Sequence, residues 1–558
     1  MSLNFITFIL FYFLLIPSIV GYGYLAVNFT KLDKKQFNKG YLGLIGVFFL
    51  ILYSYLSHFF ISHNLINNSI IFIVGLASFI FYFNRDSDKK SFILISIVFL
   101  LLIIGAIIYK SHDDFFYYHF PYTYYLTQNN IFVGVGSFNH GFRTPSSIFY
   151  LNSLFYLPVI KYYSFQMGAI MIMGFTNFIF LESIYKSIKK RIFDNILFLS
   201  LLSFVFINIF FYRISEHGTD RSAQILIFLF FIELFILINF NKNFNENSSK
   251  VIILLGLITT LKAFYILYIV LVFPIFYYLI KKKNYNYILN IFQNPFFYFF
   301  TLLFTSFLIT NFFNTGCLIY PVNFTCFDNF SWSIPFLEII QMNNWYEQWS
   351  KAGAGPSFRV MDPEIYIQNF NWVSNWIEKY FFTKISDLLL GLLFLIIVFL
   401  ITFYSKNYKI NSTYKKTYLL YGILLLLFCE WFYNHPALRY GGYPIVALIL
   451  FVPLSNILGS IKHNQKDIKK KVVLIIIITF TVFLLRNLDR IIKENKKYGY
   501  LPLKDITYQV DGRHFRIQKE FEDIVLKNKD CFEKKNYCTN HPSRNVRKVS
   551  RYLIFSRK

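Results

Sequence analysis

Apolar runs recur along almost the whole chain, parted by short polar stretches. A bilayer core takes about 20 apolar residues as helix. Segments of that kind fall at 4–27, 41–62, 69–84, 91–109, 164–185, 195–212, 223–240, 251–261, 264–280, 296–313, 387–404, 417–433, 443–460 and 471–486. The pattern predicts an all-α fold, a polytopic transmembrane helix bundle of about 13 or 14 spans. The count turns on 251–280, which reads as one long helix or as two short ones turning near Lys262. Two long stretches break the rhythm, 110–163 and 314–386. In the first, 145–163 is apolar and aromatic but broken by Pro158, which suits a helix lying in the interface. In the second, Asp362-Pro363-Glu364 has the signature of a helix start. Phe370, Val373, Trp376, Ile377, Tyr380 and Phe381 then share one face, predicting a helix along the membrane surface.

Charge sets the expected orientation. Cytoplasmic loops carry an excess of Lys and Arg. One set of short loops holds 25 of these cations, and the opposite set up to Gly442, though longer, holds 11. The alternation survives the whole chain only if 251–280 crosses twice, which gives 14 crossings with both termini outside. The net charge of +26 is then this bias plus a basic tail, and not a nucleic-acid footprint. The composition, 56% hydrophobic and 15% charged, agrees with a membrane protein. The first apolar segment lacks the basic start and small-residue cleavage site of a signal peptide. Residues 1–90 read as N-terminal transmembrane helices, 91–486 as the transmembrane core and 487–558 as a short basic tail. Cys429 lies within a span. Cys317 with Cys326, and Cys531 with Cys538, form two close pairs on the side assigned outside, where an oxidising compartment would close both into disulfides. Neither pair has the spacing or the His partners of a zinc site.

Candidate chemistry gathers on the same side. Asp113 and Asp114 follow the 91–109 span in His112-Asp-Asp-Phe-Phe-Tyr-Tyr-His119-Phe-Pro121, and ionisable groups at a membrane face need a reason. A solvated loop start with interfacial aromatics is the bland alternative for this motif. Arg213-Ile-Ser-Glu216-His217-Gly-Thr-Asp220-Arg221 packs two acids, two bases and a His into nine residues. Lys262 sits between two apolar half-spans, where a cation is costly unless it is paired or wet. Glu430 to Gly442 sets a carboxylate, His435, Arg439 and Tyr440 at another turn. Arg holds phosphate through parallel hydrogen bonds, and lipid headgroups are the alternative partner. No Walker-type phosphate loop is present.

These residues carry a family likeness. The segment His112–Pro121, the turn Gly316-Cys-Leu-Ile-Tyr320-Pro321 and the segment His435-Pro-Ala-Leu-Arg439-Tyr440 resemble the GT-C superfamily of integral-membrane glycosyltransferases. The resemblance covers roughly 90–460. It departs in placing the acidic loop after the fourth span instead of the first, and in lacking a large soluble C-terminal domain. It implies sugar transfer from a polyprenyl-phosphate-linked donor to an acceptor at the outer face of a bacterial inner membrane, with membrane lipids as the other partner. Asp113 or Asp114 would then be the acceptor-activating base, with Asp114, nearer the aromatic wall, preferred. Arg439, Lys262 or Arg221 would hold the phosphate, and Glu216, His217 and Asp220 would orient sugar or acceptor. His119 and Tyr440 complete the expected site. Some members use a divalent metal and others none, and Asp-Asp lacks a distinctive metal spacing. Two other classes stay open. An O-antigen polymerase or ligase relies mainly on Arg and His, and the paired acids count against it. A flippase would show repeats and midplane charges, of which only the split at Lys262 is a sign.

Overall fold

In a computed structural model of the chain, which describes residues 5–84, 89–107, 113–214, 218–238, 243–355, 360, 362–405, 417–499, 501, 510–533, 538 and 543–558, each of the fourteen apolar runs coincides with helix over most of its length. Among the described residues nine helices are long and apolar enough to cross a membrane, and the shorter apolar helices Lys90–Ala106, Asn195–Phe210 and Tyr418–Asn434 lie between them. The chain is a multi-pass, all-α membrane protein. Close backbone approach holds the first helices together. A Cβ on Gly21 of Phe5–Phe29 would fall 1.9 Å from the carbonyl oxygen of Gly75 in Leu65–Phe83. Small residues at such crossings let dispersion and backbone contact replace the hydrophobic drive that lipid removes.

The ambiguous 251–280 segment turns back on itself. Phe244–Leu261 is α-helical, Lys262 is extended at φ −159° and ψ 136°, and Ala263–Val272 continues as 3-10 helix into Phe273–Lys281. The rings of Phe244 and Tyr287 lie 4.4 Å apart, and Asn294 Nδ2 donates to Asn245 O at 3.2 Å. The two far ends therefore meet, and Lys262 marks the turn. The last long helix, Gln465–Tyr498, outlasts its apolar run. Beyond Arg486 it is carried by i,i+4 ion pairs, Lys493 with Asp489 at 2.6 Å and Arg490 with Glu494 at 2.7 Å.

Both helices expected at the membrane surface pack against the rest of the protein. All eight residues of Ser147–Leu154 are buried. Tyr150 stacks on Tyr55 at 3.9 Å, and Ser146 Oγ donates to Leu261 O. Burial on every side, Ser147, Asn152 and Ser153 included, puts the segment inside the protein, which its sequence alone does not separate from an interfacial position. The helix begun at Asp362, whose side chain accepts from Ile365 N, ends at Ile367. From Val373 the chain runs without a break to Phe403, through a π-helical stretch Ile377–Ile385, so the second expected surface helix is the N-terminal extension of a span. Protein covers much of its apolar face. Trp376 Nε1 donates to Pro436 O at 3.0 Å, and Tyr380 Oη accepts from Leu438 N at 2.8 Å.

The tail folds as a cap on the loop-rich end of the bundle. Strands Arg544–Val549 and Tyr552–Arg557 pair antiparallel, and Val133 extends the second through Val133 N to Leu553 O and Phe555 N to Val133 O. Phe521 of the helix Arg516–Lys527 packs its ring on Tyr125, Phe132 and Phe138. Disulfides Cys317–Cys326 and Cys531–Cys538 close at this end, and Cys429 is free. Arg143, with a side chain 1% exposed, donates to Gly136 O, Tyr320 Oη and Glu338 Oε1. Arg557 of the cap takes the other oxygen of Glu338 at 2.6 Å.

Breaking a buried pair costs about 3–5 kcal/mol because it strands a charge, whereas an exposed pair is worth about 0–1 kcal/mol. Arg143→Ala is therefore expected to lower the thermal midpoint of the detergent-solubilised protein well beyond Arg557→Ala, whose guanidinium is 37% exposed. Equal shifts in the two melting curves would show that Arg143 does not hold the loops.

Candidate functional site

Four charged side chains from four separate segments meet at the loop-rich end. Asp220 is the third residue of the helix Gly218–Ile238. Lys262 occupies the turn described above. Arg439 lies in the 3-10 turn Leu438–Tyr440, before the helix Gly442–Gly459. Asp114 opens the helical stretch that continues through a π-helical turn, Phe115–His119, into Phe120–Gln128. Asp220 Oδ1 accepts from Lys262 Nζ at 2.5 Å, and Oδ2 accepts from Arg439 Nε at 3.2 Å. Asp114 Oδ2 stands 3.9 Å from Arg439 Nη2.

Local sequence makes this meeting feasible. Gly441 adopts φ 92°, a left-handed conformation that costs glycine little, and turns the chain from Arg439 into the next helix. A Cβ there would lie 2.7 Å from Tyr268 Oη. The Arg439 carbonyl accepts from Gln224 Nε2 at 3.0 Å and from Tyr265 Oη at 3.1 Å, so the turn is pinned to two neighbouring segments. Aromatic faces line the cations. Arg439 lies 5.5 Å from the Trp349 ring centre, and Lys262 lies 5.8 Å from that of Tyr440. The Tyr440 ring in turn meets Phe264, Trp349 and His435.

Exposure orders the cluster in depth. The Asp220 side chain is 8% exposed and that of Lys262 17%, against 30% for Asp114 and 35% for Arg439. Asp220 thus backs the two cations, and their remaining donors and Asp114 face outward. Arg has five N–H donors and Lys three, so Asp220 leaves donors on both for a second anion. Burial pulls the Lys262 ammonium below its usual range, opposed by the Asp220 charge. Burial, then Asp114, pushes the Tyr118 phenol well above its usual range, and burial raises Tyr440 to about 12. Burial, aided by Lys351, lowers His435 to about 4, so that ring is neutral at pH 7. Two carboxylates and two cations make the cluster neutral in sum.

Of the residues expected from sequence, Asp114, Asp220, Lys262, Arg439 and Tyr440 converge. Asp113 is exposed. His119 lines a small cavity beside the cluster, its ring against Tyr118 at 4.4 Å and Phe149 at 5.3 Å. Arg221 lies apart from the Asp220 pairings. It is sandwiched between the rings of Phe211 at 4.4 Å and Tyr443 at 4.2 Å, and it donates to Gln224. Adjacent helical residues point about 100° apart, which sends Arg221 away from its neighbour Asp220. Glu216 and His217 lie outside the described residues. Sequence reasoning missed Trp349, Gln224, Tyr265 and Tyr118 as site residues. Tyr118 stands within the acidic motif and was open to notice. Trp349 and Gln224 gave no signal, because each reaches the cluster only through the tertiary fold.

Residues 5–446 match the family described as a domain of unknown function (DUF8201). The chain belongs to that family. The matched stretch holds the whole charge cluster, whereas the C-terminal cap lies beyond it. No curated protein and no solved structure matches the chain.

Removing the Asp220 charge strands the largely buried Lys262 and leaves the third-exposed Arg439 with Asp114 alone, so Asp220→Asn is expected to destabilise the fold by about 3 kcal/mol. Asp114→Asn, at a longer and wetter contact, is expected to cost about 1 kcal/mol or less. Melting curves of the two variants test this ordering, and an unchanged midpoint for Asp220→Asn would remove Asp220 from the centre of the cluster.

Proposed function

We propose that the protein is a GT-C-type membrane glycosyltransferase. It moves a sugar from a polyprenyl-phosphate-linked donor to an acceptor at the outer face of a bacterial inner membrane. The observation that carries this reading is the pairing of one part-exposed carboxylate with a guanidinium 3.9 Å away, backed by buried Asp220 and the less exposed Lys262. Transfer asks for those two groups side by side. Asp114 takes the proton of the acceptor hydroxyl. The acceptor oxygen bonds to the anomeric carbon, the bond from that carbon to the phosphate oxygen breaks, and its electron pair leaves with the polyprenyl phosphate. Arg439 and Lys262 meet the charge that builds there. The aromatic rings of Tyr118, Trp349 and Tyr440 wall the space, and Tyr440 stays protonated at neutral pH.

The remaining readings draw less support. The break at Lys262 is a turn between antiparallel segments at one end of the bundle, not a midplane discontinuity of the kind transporters use. Among the described residues the donor set gives a divalent ion little support. Asp220 gives both oxygens to Lys262 and Arg439, so an ion would sit against two fixed cations. Among the described residues no three His, Cys, Asp or Glu side chains gather as ligands. Placing the site in the periplasm rests on the 25-to-11 cation asymmetry, and the two disulfides at that same end favour an oxidising compartment.

Loss of a general base typically costs 10²–10⁴-fold. Asp114→Asn is expected to lose sugar transfer by roughly that factor while still binding undecaprenyl phosphate, and Asp113→Asn, being exposed, to keep most activity. Arg439→Ala is expected to weaken lipid-phosphate binding most. Transfer at the parent rate by Asp114→Asn would end the base assignment. Loss of lipid binding in that variant would make Asp114 an anchor instead.

Orientation has its own test. Single cysteines placed near 140 and 355 are expected to react with an impermeant thiol reagent added outside intact cells, and those near 283 and 409 to stay unlabelled. The reverse pattern would overturn the orientation.

A further inference from the structure

The tip of the cap's hairpin takes no part in the charge cluster. Strands Arg544–Val549 and Tyr552–Arg557 pair Val549 with Tyr552, so Ser550 and Arg551 alone make the turn. Ser550 adopts φ 55°, in the left-handed region that two-residue hairpin turns demand. Lys548, Val549, Ser550 and Arg551 are all exposed. Among the described residues neither Lys548 nor Arg551 pairs with a carboxylate.

The fold sets this tip at the edge of the bilayer. Tyr552 Oη donates to Phe59 O at 3.1 Å, and Arg551 lies 5.0 Å from the ring centre of Phe60. Phe59 and Phe60 belong to the link 59–64 between two spans, Lys39–His58 and Leu65–Phe83. A link that short stays near the level at which both spans end. The ring of Phe313, in the last turn of the span Pro295–Thr315, lies 6.2 Å from that of Phe59 and puts a third span end at the same level. Leu65–Phe83 exposes Ile66, Ile70 and Ile73 along one side from its first turn onward, so lipid begins beside the link.

The residues of the tip suit that level. Bilayer interfaces collect aromatic rings, and long cations whose stems lie on apolar surface while their heads reach outward. Phe60 and Val549 present exposed apolar surface there, and Lys548 and Arg551 bracket the turn. The Arg551 guanidinium is held in place. Its Nη2 donates to Tyr552 Oη at 3.0 Å, and the Tyr552 ring centre lies 5.1 Å away. Of five N–H donors, most are left for an anion. Lipid phosphates already stand at this level, whereas a soluble acidic partner would have to displace them.

We propose that the hairpin tip is a membrane anchor, in which Lys548 and Arg551 bind the phosphates of anionic phospholipids in the leaflet beneath the cap, with Val549 and Phe60 seated among the headgroups. Nothing in the anchor depends on sugar transfer. Arg557, at the other end of the strand that Tyr552 begins, holds Glu338, so the cap is fixed between the bilayer and the loops.

The test uses the full chain in nanodiscs of phosphatidylcholine and phosphatidylglycerol, with both disulfides intact. Ser550→Cys, in a Cys429→Ser background, carries a bimane label. Phosphatidylglycerol or phosphatidylcholine brominated near the headgroup, at equal mole fraction, is the quencher. Both lipids are expected to quench the label, phosphatidylglycerol more. Lys548→Gln and Arg551→Gln are each expected to lower that preference roughly fivefold, the worth of one cation at an anionic surface. The charge-matched control, Lys469→Gln with Lys470→Gln at the start of the helix Gln465–Tyr498, is expected to leave it unchanged. Equal quenching by the two lipids in the parent would mean that the tip touches the bilayer without choosing anionic lipid, and the proposal fails. It fails too if brominated lipid leaves the label bright while aqueous iodide quenches it, the pattern of a tip kept for water or a soluble partner. A preference that survives the Lys548→Gln, Arg551→Gln double variant would belong to other cations and would equally sink it.

Discussion

One buried carboxylate organises the functional end of this protein. Asp220 sits in the first turn of a helix, and it binds a lysine from a chain reversal and an arginine from a turn 219 residues further on. Each of the three groups would be costly alone at the edge of a bilayer. Together they are tolerable, and the arrangement fixes three segments at one point. The arginine's own carbonyl is held by Gln224, one turn along the helix from Asp220, and by Tyr265, three residues after Lys262. The same two segments thus grip Arg439 by side chain and by backbone. That double grip explains how a long, rotamer-rich side chain can be preorganised while a third of it stays open to solvent. Binding an anion then costs little ordering, which is where preorganised sites gain affinity.

A second clamp of the same logic holds the roof. Glu338 accepts from Arg143 of the first long loop on Oε1 and from Arg557 of the last residues of the chain on both oxygens. The helix Phe336–Lys351 that carries Glu338 also carries Trp349, which faces Arg439. Loop, cap and charge cluster are therefore coupled through one short helix. The cap adds its own strand pairing to Val133 and a Phe521–Phe555 aromatic core, so it is no loose tail despite its charge. A basic stretch too short for a separate domain can still fold when it borrows a ready-made hydrophobic surface.

Much of this was legible in the residues, and the limits have physical causes. Helices announced themselves because a lipid-facing segment must be apolar throughout and must satisfy its backbone internally. The turn at Lys262 was flagged by a single cation that no continuous span would carry. Four expected charged residues converged because charge within an apolar chain is rare enough to be informative, and Tyr440 came with its neighbour Arg439. The failures share a cause too. Ser147–Leu154 reads as interfacial or buried with equal ease, since apolarity does not say whether protein or lipid provides the cover. The Val373–Phe403 helix was divided because its first turns carry Glu378, Lys379 and Lys384, yet those charges fit the polar side of a helix that simply continues. Arg221 was grouped with Asp220 by adjacency in the chain, and helical rotation separated them. Trp349 and Gln224 became visible only in three dimensions.

The same rotation bears on what the acidic pair can do. Two neighbouring Asp residues invite a reading as a unit, either a shared-proton dyad or a pair of metal ligands, and both require the carboxylates to converge. At a helix start they diverge by about 100°. Asp114 turns toward Arg439, and Asp113 turns to solvent. A dyad would place like charges together, whereas Asp114 has a guanidinium for its near neighbour. The arrangement sets one carboxylate beside the cation that, on the proposed reading, would meet the charge released in transfer. On the proposed reading it is the relation between Asp114 and Arg439, and not the Asp-Asp dipeptide, that would carry the chemistry of this site.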